Sequence, residues 1–250
     1  MRMGKTYAVS GKGGVGKTTL AALMVAHLQK NDTVLAIDAD PNSNLNDALG
    51  IPLGQTLGGL REDLLQDANN IPGGMSKAEY VKYQLQIALV EGDRFDFLAM
   101  GRQEGPGCYC YVNNLLRTFL DGLADKYAYV VVDNEAGMEH LSRRTTRDID
   151  CLFVVSDTSR TGLLTATRIK KLAEEMDLNV RSYVLVFNRV PDSYEPDAEG
   201  LAGSAFEHVE TLPFDPEIER LSLCGSPVLG IPSSSRAFRA VGEILSKIPA

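Results

Sequence analysis

No apolar run in this sequence comes near the roughly 20 residues that a helix needs to span a bilayer. Runs such as Tyr127 to Val132 stop far short of that length, which excludes a transmembrane helix. Cysteine is scarce, with four residues in 250, too few for a disulfide scaffold. The opening residues, Met1 to Val9, lack the apolar centre of a secretory signal, so a cytoplasmic, reducing compartment is expected. Positive charge is not in excess either. Twenty-five basic residues against thirty-three acidic ones leave a net charge of -8 and a pI near 5.0, which provides no global field for nucleic acid or an anionic membrane. Neither is expected as a partner, although a local basic patch remains open. A hydrophobic share of 44% with 23% charged residues is ordinary globular composition and excludes disorder and collagen.

What the sequence does contain is a recurring alternation. Short runs rich in Val, Ile and Phe stand between longer stretches with helical spacing, the pattern of βαβ units in a parallel sheet. Predicted strands are Thr6 to Val9, Thr33 to Ile37, Phe95 to Met100, Tyr129 to Val132, Leu152 to Ser156, Ser182 to Phe187 and Val209 to Leu212. Their near-continuous apolar character predicts burial on both faces by helices. The expected fold is α/β, a mainly parallel central sheet of about seven or eight strands flanked by helices. Leu20, Leu23, Met24, His27 and Leu28 share one helical face, and Leu163, Leu164, Thr167, Ile169, Leu172 and Met176 give a similar, less clean pattern. Residues 54–92, with helical pieces at Leu57 to Gln66 and Ala78 to Val90 around an Ile-Pro-Gly-Gly turn, read as an insertion on a single domain spanning 1–250. Arg236 to Ile248 places Phe238, Val241, Ile244, Leu245 and Ile248 on one face. It fits a terminal helix docked on the sheet better than a membrane-surface helix, because its polar face carries few cations.

Between the first predicted strand and the first predicted helix lies Gly11-Lys12-Gly13-Gly14-Val15-Gly16-Lys17-Thr18, which fits the G-x-x-x-x-G-K-[ST] pattern of a P-loop. Its glycines allow consecutive backbone N–H groups to curve around a polyphosphate, and the following helix adds its positive end. Lys17 is expected at the β and γ phosphates, Thr18 on Mg²⁺ and Thr19 near the α phosphate. Lys12 is unusual, because an ordinary P-loop needs only the second lysine and a charge at this point would face away from its own nucleotide unless something turned it back. The string Lys12 to Thr19 resembles the deviant Walker A motif of the MinD, ParA and nitrogenase iron-protein group of ATPases. That resemblance implies a sandwich homodimer in which Lys12 reaches the partner's phosphates.

Two acidic loops follow predicted strands, where a site at the carboxyl edge of an α/β sheet belongs. In Asp38-Ala39-Asp40-Pro41-Asn42, the resemblance makes Asp40 the aspartate that orients the attacking water, with Asp38 in support. A local turn with an Asx hydrogen bond is the plainer reading of the same residues. In Asp133-Asn134-Glu135-Ala136-Gly137-Met138-Glu139-His140, Asp133 is expected to hold Mg²⁺ through a water and the Gly137 N–H to approach the γ phosphate; His140 reads as structural. Adenine contacts are expected at Asn188 and Arg189 and at Pro213 and Asp215, an amide being able to pair with both a donor and an acceptor on the base.

Cys108-Tyr109-Cys110 follows a Gly-Pro-Gly stretch and precedes a predicted helix, Val112 to Leu120. One intervening residue makes a strained disulfide, and two thiolates do not complete a tetrahedral metal site. Cys151 and Cys224 read as inert. The dimer implied by Lys12 would bring two such pairs to a two-fold axis, giving four thiolates suited to Zn²⁺, Ni²⁺ or Cu(I). The deviant P-loop, the Cys-x-Cys pair and the Asp133 to His140 stretch together resemble the CooC family of nickel-insertion ATPases, over the whole chain. The resemblance implies an ATP- and Mg²⁺-dependent homodimer with nickel or zinc at Cys108 and Cys110. Its client would be nickel-dependent carbon monoxide dehydrogenase or the acetyl-CoA synthase partner of that enzyme. A MinD- or ParA-type positioning ATPase is the alternative, and an iron–sulfur electron-transfer ATPase a third reading, although the separated cysteines that the latter needs are missing.

Overall fold

The computed structural model describes residues 4–66, 74–101, 118, 120, 122–135, 148–194 and 206–248. Its main sheet contains β1 (Lys5–Gly11), β2 (Val34–Asp38), β3 (Phe95–Ala99), β4 (Tyr129–Asp133), β6 (Cys151–Ser156), β8 (Tyr183–Val190) and β9 (His208–Pro213). The order is β3-β2-β4-β1-β6-β8-β9, and all neighbouring pairs are parallel. Each predicted strand is present, with ends that lie up to three residues from the predicted ones. A short parallel pair, β5 (Asp148–Ile149) with β7 (Asn179–Val180), forms a second sheet.

Successive strand residues feed opposite cores, as the pleat requires. Tyr7, Val9, Val34, Ala36, Val131 and Phe153 point into one layer, and Ala8, Leu35, Ile37, Val132 and Leu152 into the other. The first layer holds α1 (Lys17–Leu28), α2 (Leu45–Leu49), α6 (Pro216–Leu223) and α7 (Arg236–Lys247). The second holds α3 (Leu57–Gln66), α4 (Lys77–Ala88) and α5 (Arg160–Glu175). Leu57, Leu60, Val81 and Leu85 are buried against the sheet, so the segment read as an insertion supplies part of a core. The Ser76–Glu79 capping box starts α4.

Two helices depart from their sequence patterns. α1 is buried nearly all round, from Leu20 to Ala26, rather than along a single stripe. Its alanines admit α2, α7 and the 3₁₀ turn Val228–Gly230 on the side away from the sheet. In α5 the inward positions are Gly162, Ala166, Ile169 and Ala173, spaced i, i+4, i+7, i+11. Leu164, at 59% exposure, and Leu172 face outward, because small side chains let this helix lie close to the strands.

α7 docks through Ala237, Phe238, Val241 and Ile244, each large side chain contributing roughly 1.5–3 kcal/mol on burial. The docking expected from the sequence is therefore what forms. Close approach to α1 depends on Gly242, where a Cβ would stand 2.5 Å from the His27 Cε1. The His27 ring lies 5.4 Å from that of Phe238 and its Nδ1 has no hydrogen-bond partner. Burial, with Lys30 adding, lowers its pKa below the usual imidazole value. A lowered folded pKa adds stability above the unfolded value near 6.5 that is lost as pH falls through the folded one. In thermal melts from pH 7 to 5, His27→Gln is therefore expected to lose less stability than the parent. Equal slopes would remove His27 as a cause. Among the described residues, no helix is long and apolar enough to cross a membrane.

Candidate functional site

Three strands end together at the carboxyl edge on the P-loop side of the sheet, and their loops build the site. β1 delivers Gly11 and the loop that leads into α1, β2 delivers Asp38, and β4 delivers Asp133. Register sets the geometry: Asp38 pairs directly with Asp133 across adjacent parallel strands, so the two carboxylates stand side by side.

The loop closes onto α1 at Gly16, whose φ of 94° is left-handed backbone that L side chains rarely adopt. Lys17, only 8% exposed, folds back so that its Nζ donates to the Lys12 carbonyl at 3.3 Å. Thr18 Oγ1 donates directly to Asp133 Oδ2 at 2.6 Å. Asp133 Oδ1 is buried without a hydrogen-bond partner. The Asp133 carboxyl is pushed up to about 7, mainly by burial, with Asp38 and Asp40 adding and the Thr18 hydroxyl and Lys17 opposing. A half-buried hydroxyl and a buried carboxylate with one orphaned oxygen, at the N-terminus of a helix, form a hard oxygen donor set, which fits Mg²⁺. Asp133 and Thr18 would hold the ion there.

Asp38 is fully buried and does supporting work. Its Oδ1 accepts from the Asp40 N–H at 3.0 Å and its Oδ2 from the Leu45 N–H at 2.9 Å. Burial pushes its carboxyl up, against those hydrogen bonds. Asp40 is half-buried, and its Oδ1 accepts from the Asn42 N–H at 2.8 Å. The Asx turn foreseen as the plainer reading is thus present, and it also fixes where the Asp40 carboxylate stands.

A pocket of about 300 Å³ is lined by Lys12, Gly13, Gly14, Val15, Asp157, Thr158, Asn188 and Arg189. It joins the P-loop to two of the residues expected to meet a base. Asp157 and Thr158 were not foreseen. Their signal was position, immediately after a buried strand at the same edge. Hydrogen bonds from Ser159 hold the Asp157 carboxyl below the usual carboxylate range against its burial, with the Lys12 charge contributing. Asn134, also buried, was passed over as well; its Nδ2 donates to the Val9 carbonyl at 3.0 Å and ties β4 to β1 at the site.

The Asp215 side chain, expected near the base, is engaged within the fold. Its Oδ1 accepts from the Glu217 N–H, and its Oδ2 from Ser235 Oγ and the Ala237 N–H, so it caps α6 and joins it to α7. Burial alone would raise this carboxyl, but those bonds hold it below the ordinary range. Pro213 ends β9 beside Val190. Cys151 is a buried residue of β6 and Cys224 an exposed one at the end of α6. Cys108, Cys110, Gly137, His140 and most of the helix predicted at Val112 to Leu120 lie outside the described residues. Among the described residues, no group of three or more His, Cys, Asp or Glu side chains is placed to hold a metal ion.

Comparison with known proteins places this geometry in context. The family model "CobQ/CobB/MinD/ParA nucleotide binding domain" matches residues 7–243. An ATP-binding protein of Methanocaldococcus jannaschii, MJ0685, is 44% identical over 96% of this chain and 97% of its own length. The carbon monoxide dehydrogenase accessory protein CooC of Rhodospirillum rubrum is 29% identical over 87% of each chain. The crystal structure of a ParA family ATPase from Chlorobium tepidum superposes with a TM-score of 0.73 at 19% identity, covering 100% of both chains.

Proposed function

The chain belongs to the CobQ/CobB/MinD/ParA nucleotide-binding family as a P-loop ATPase, and on that premise we propose that it works in the cytoplasm as a homodimer whose ATP cycle delivers nickel. The recipient would be carbon monoxide dehydrogenase or its acetyl-CoA synthase partner. One observation carries the delivery reading. The Cys108-Tyr109-Cys110 pair occurs in a chain that is 29% identical to CooC over most of its length. Two thiolates leave a soft cation half-ligated, and a two-fold axis supplies the other two.

Hydrolysis follows from the residues at the sheet edge. Asp40 accepts a hydrogen bond from water and aims its oxygen at the γ phosphorus; the P–O bond to the β phosphate breaks, and ADP and inorganic phosphate leave. Lys17 balances charge on the β and γ oxygens, and Lys12 does so across the dimer. Thr18 and Asp133 hold Mg²⁺, which when bound neutralises phosphate charge. Arg189 and Pro213 face the base, with Asp215 anchoring their side of the site through its caps, while the Asn188 amide, expected at the base, is engaged by the Val15 carbonyl and the Arg189 N–H. Loss of the γ phosphate releases the contacts made by the Asp38–Asn42 loop and by Gly137, the subunits part, and the four-thiolate site divides into pairs that surrender the metal.

An output on membrane or DNA is less well supported. The net charge is -8, and the apolar face of α7 is consumed against α1. Cosedimentation with anionic vesicles or DNA in ATP would reverse that preference.

The test is molecular mass in solution, with and without ADP, ATP, Ni²⁺ and Zn²⁺, together with metal content. The parent is expected to hold one metal ion per dimer. The Cys108→Ser/Cys110→Ser variant is expected to hold none while binding ATP as the parent does. A double variant that keeps one tightly bound ion per dimer would overturn the cysteine assignment.

A further inference from the structure

We propose that Asn188 is a positioning residue for the phosphate cradle: by gripping the Val15 carbonyl it aims the Gly16 N–H at the bound polyphosphate. This rests on the nucleotide reading above and assigns Asn188 a task separate from recognition of the base.

The path to that contact begins in β8. Its ladder with β9 runs from Val184 to Phe187 and resumes only at Val190 opposite Pro213, so Asn188 and Arg189 form a bulge. Arg189 has a φ of 56°, a left-handed conformation uncommon for any residue with a Cβ. The irregularity turns Asn188 out of the ladder and onto a loop 173 residues away in sequence.

Both ends of its amide are then engaged. Asn188 Oδ1 accepts from the Arg189 N–H at 2.8 Å, and Nδ2 donates to the Val15 carbonyl at 2.8 Å. The assignment of oxygen and nitrogen follows from the partners, since a backbone N–H only donates and a carbonyl only accepts. In a trans peptide the C=O and the next N–H point in opposite directions. Holding the Val15 carbonyl toward Asn188 therefore turns the Gly16 N–H away from it, into the concave side of the loop. Residue 16 has to be glycine for this contact, because a Cβ there would stand 2.2 Å from the Asn188 Nδ2.

Inorganic tripolyphosphate separates this role from base recognition, since it has phosphates and no base. Binding of tripolyphosphate and of ATP is measured for the parent, Asn188→Ala and Asn188→Ser, together with the unliganded melting midpoint and the division of the rate loss between KM and kcat. Neither variant side chain reaches the Val15 carbonyl, and the serine variant serves if the alanine variant does not fold. At least about a tenfold loss is expected for both ligands. Their affinity ratio is expected to stay unchanged, with KM rising more than kcat falls and the unliganded midpoint close to that of the parent. Undiminished tripolyphosphate binding alongside weakened ATP binding would overturn the proposal in favour of a base contact. A loss tracked by a lowered unliganded midpoint would reduce Asn188 to a packing role. A parent that binds neither ligand would instead remove the nucleotide reading, and this inference with it.

Discussion

Lys17→Ala is expected to lower ATP turnover by at least about 10³-fold, read as phosphate release at saturating ATP. The side chain is almost wholly buried and sits on the loop that it serves, with its ammonium on the Lys12 carbonyl. A charge held out of water acts far more strongly on a phosphate than an exposed one does. Removing it also withdraws one of the two attractions that hold the Asp133 carboxyl down, the other being the Thr18 hydroxyl, so a proton competes better for the oxygen set that fits Mg²⁺. Lys17→Arg is expected to rescue little, because a planar guanidinium does not fit where the ammonium lies. Turnover within tenfold of the parent in Lys17→Ala would show that the charge on the γ phosphate comes from elsewhere.

Asp40→Ala is expected to separate binding from chemistry. The substitution removes the one half-buried carboxylate of the β2 loop and leaves Asp38 and Asp133 in place beneath it. ATP should bind as before and the ATP-loaded dimer should persist, while hydrolysis falls about 10²- to 10⁴-fold. Asp38 cannot substitute, since both its oxygens are occupied by the Asp40 and Leu45 N–H groups. Native mass after incubation with ATP, beside single-turnover phosphate release, checks both halves. Hydrolysis that persists in Asp40→Ala would move the water-orienting role to another residue. A dimer lost together with hydrolysis would make Asp40 a binding residue instead.

Legibility in the sequence followed the range of the interactions. The P-loop could be read because its glycines, Lys17 and Thr18 are contiguous, and the inner strands of the main sheet because buried parallel strands are almost uniformly apolar, whereas β9 is an edge strand with polar, partly exposed residues. The two aspartates could be placed because each directly follows such a strand. The faces of α1 and α5 could not be read in the same way. In α5, periodicity favoured the leucines, whereas packing distance to the sheet favoured Gly162, Ala166 and Ala173. In α1, alanines that look neutral in sequence became buried once α7 and its neighbours closed over them. The caps made by Asp215 could not be read either, because its carboxylate joins two helix starts about twenty residues apart.

The order of residues along the chain, taken alone, determined the fold class and the phosphate loop, because those features depend on neighbours within a few positions. Only the folded sheet decided that Asp38 and Asp133 share one buried space, that Thr18 meets Asp133 directly, and that Asn188 reaches Val15 through a bulge in a distant strand. Strand order and register bring such partners together across 95 to 173 residues of chain, and no local pattern encodes a distance of that kind.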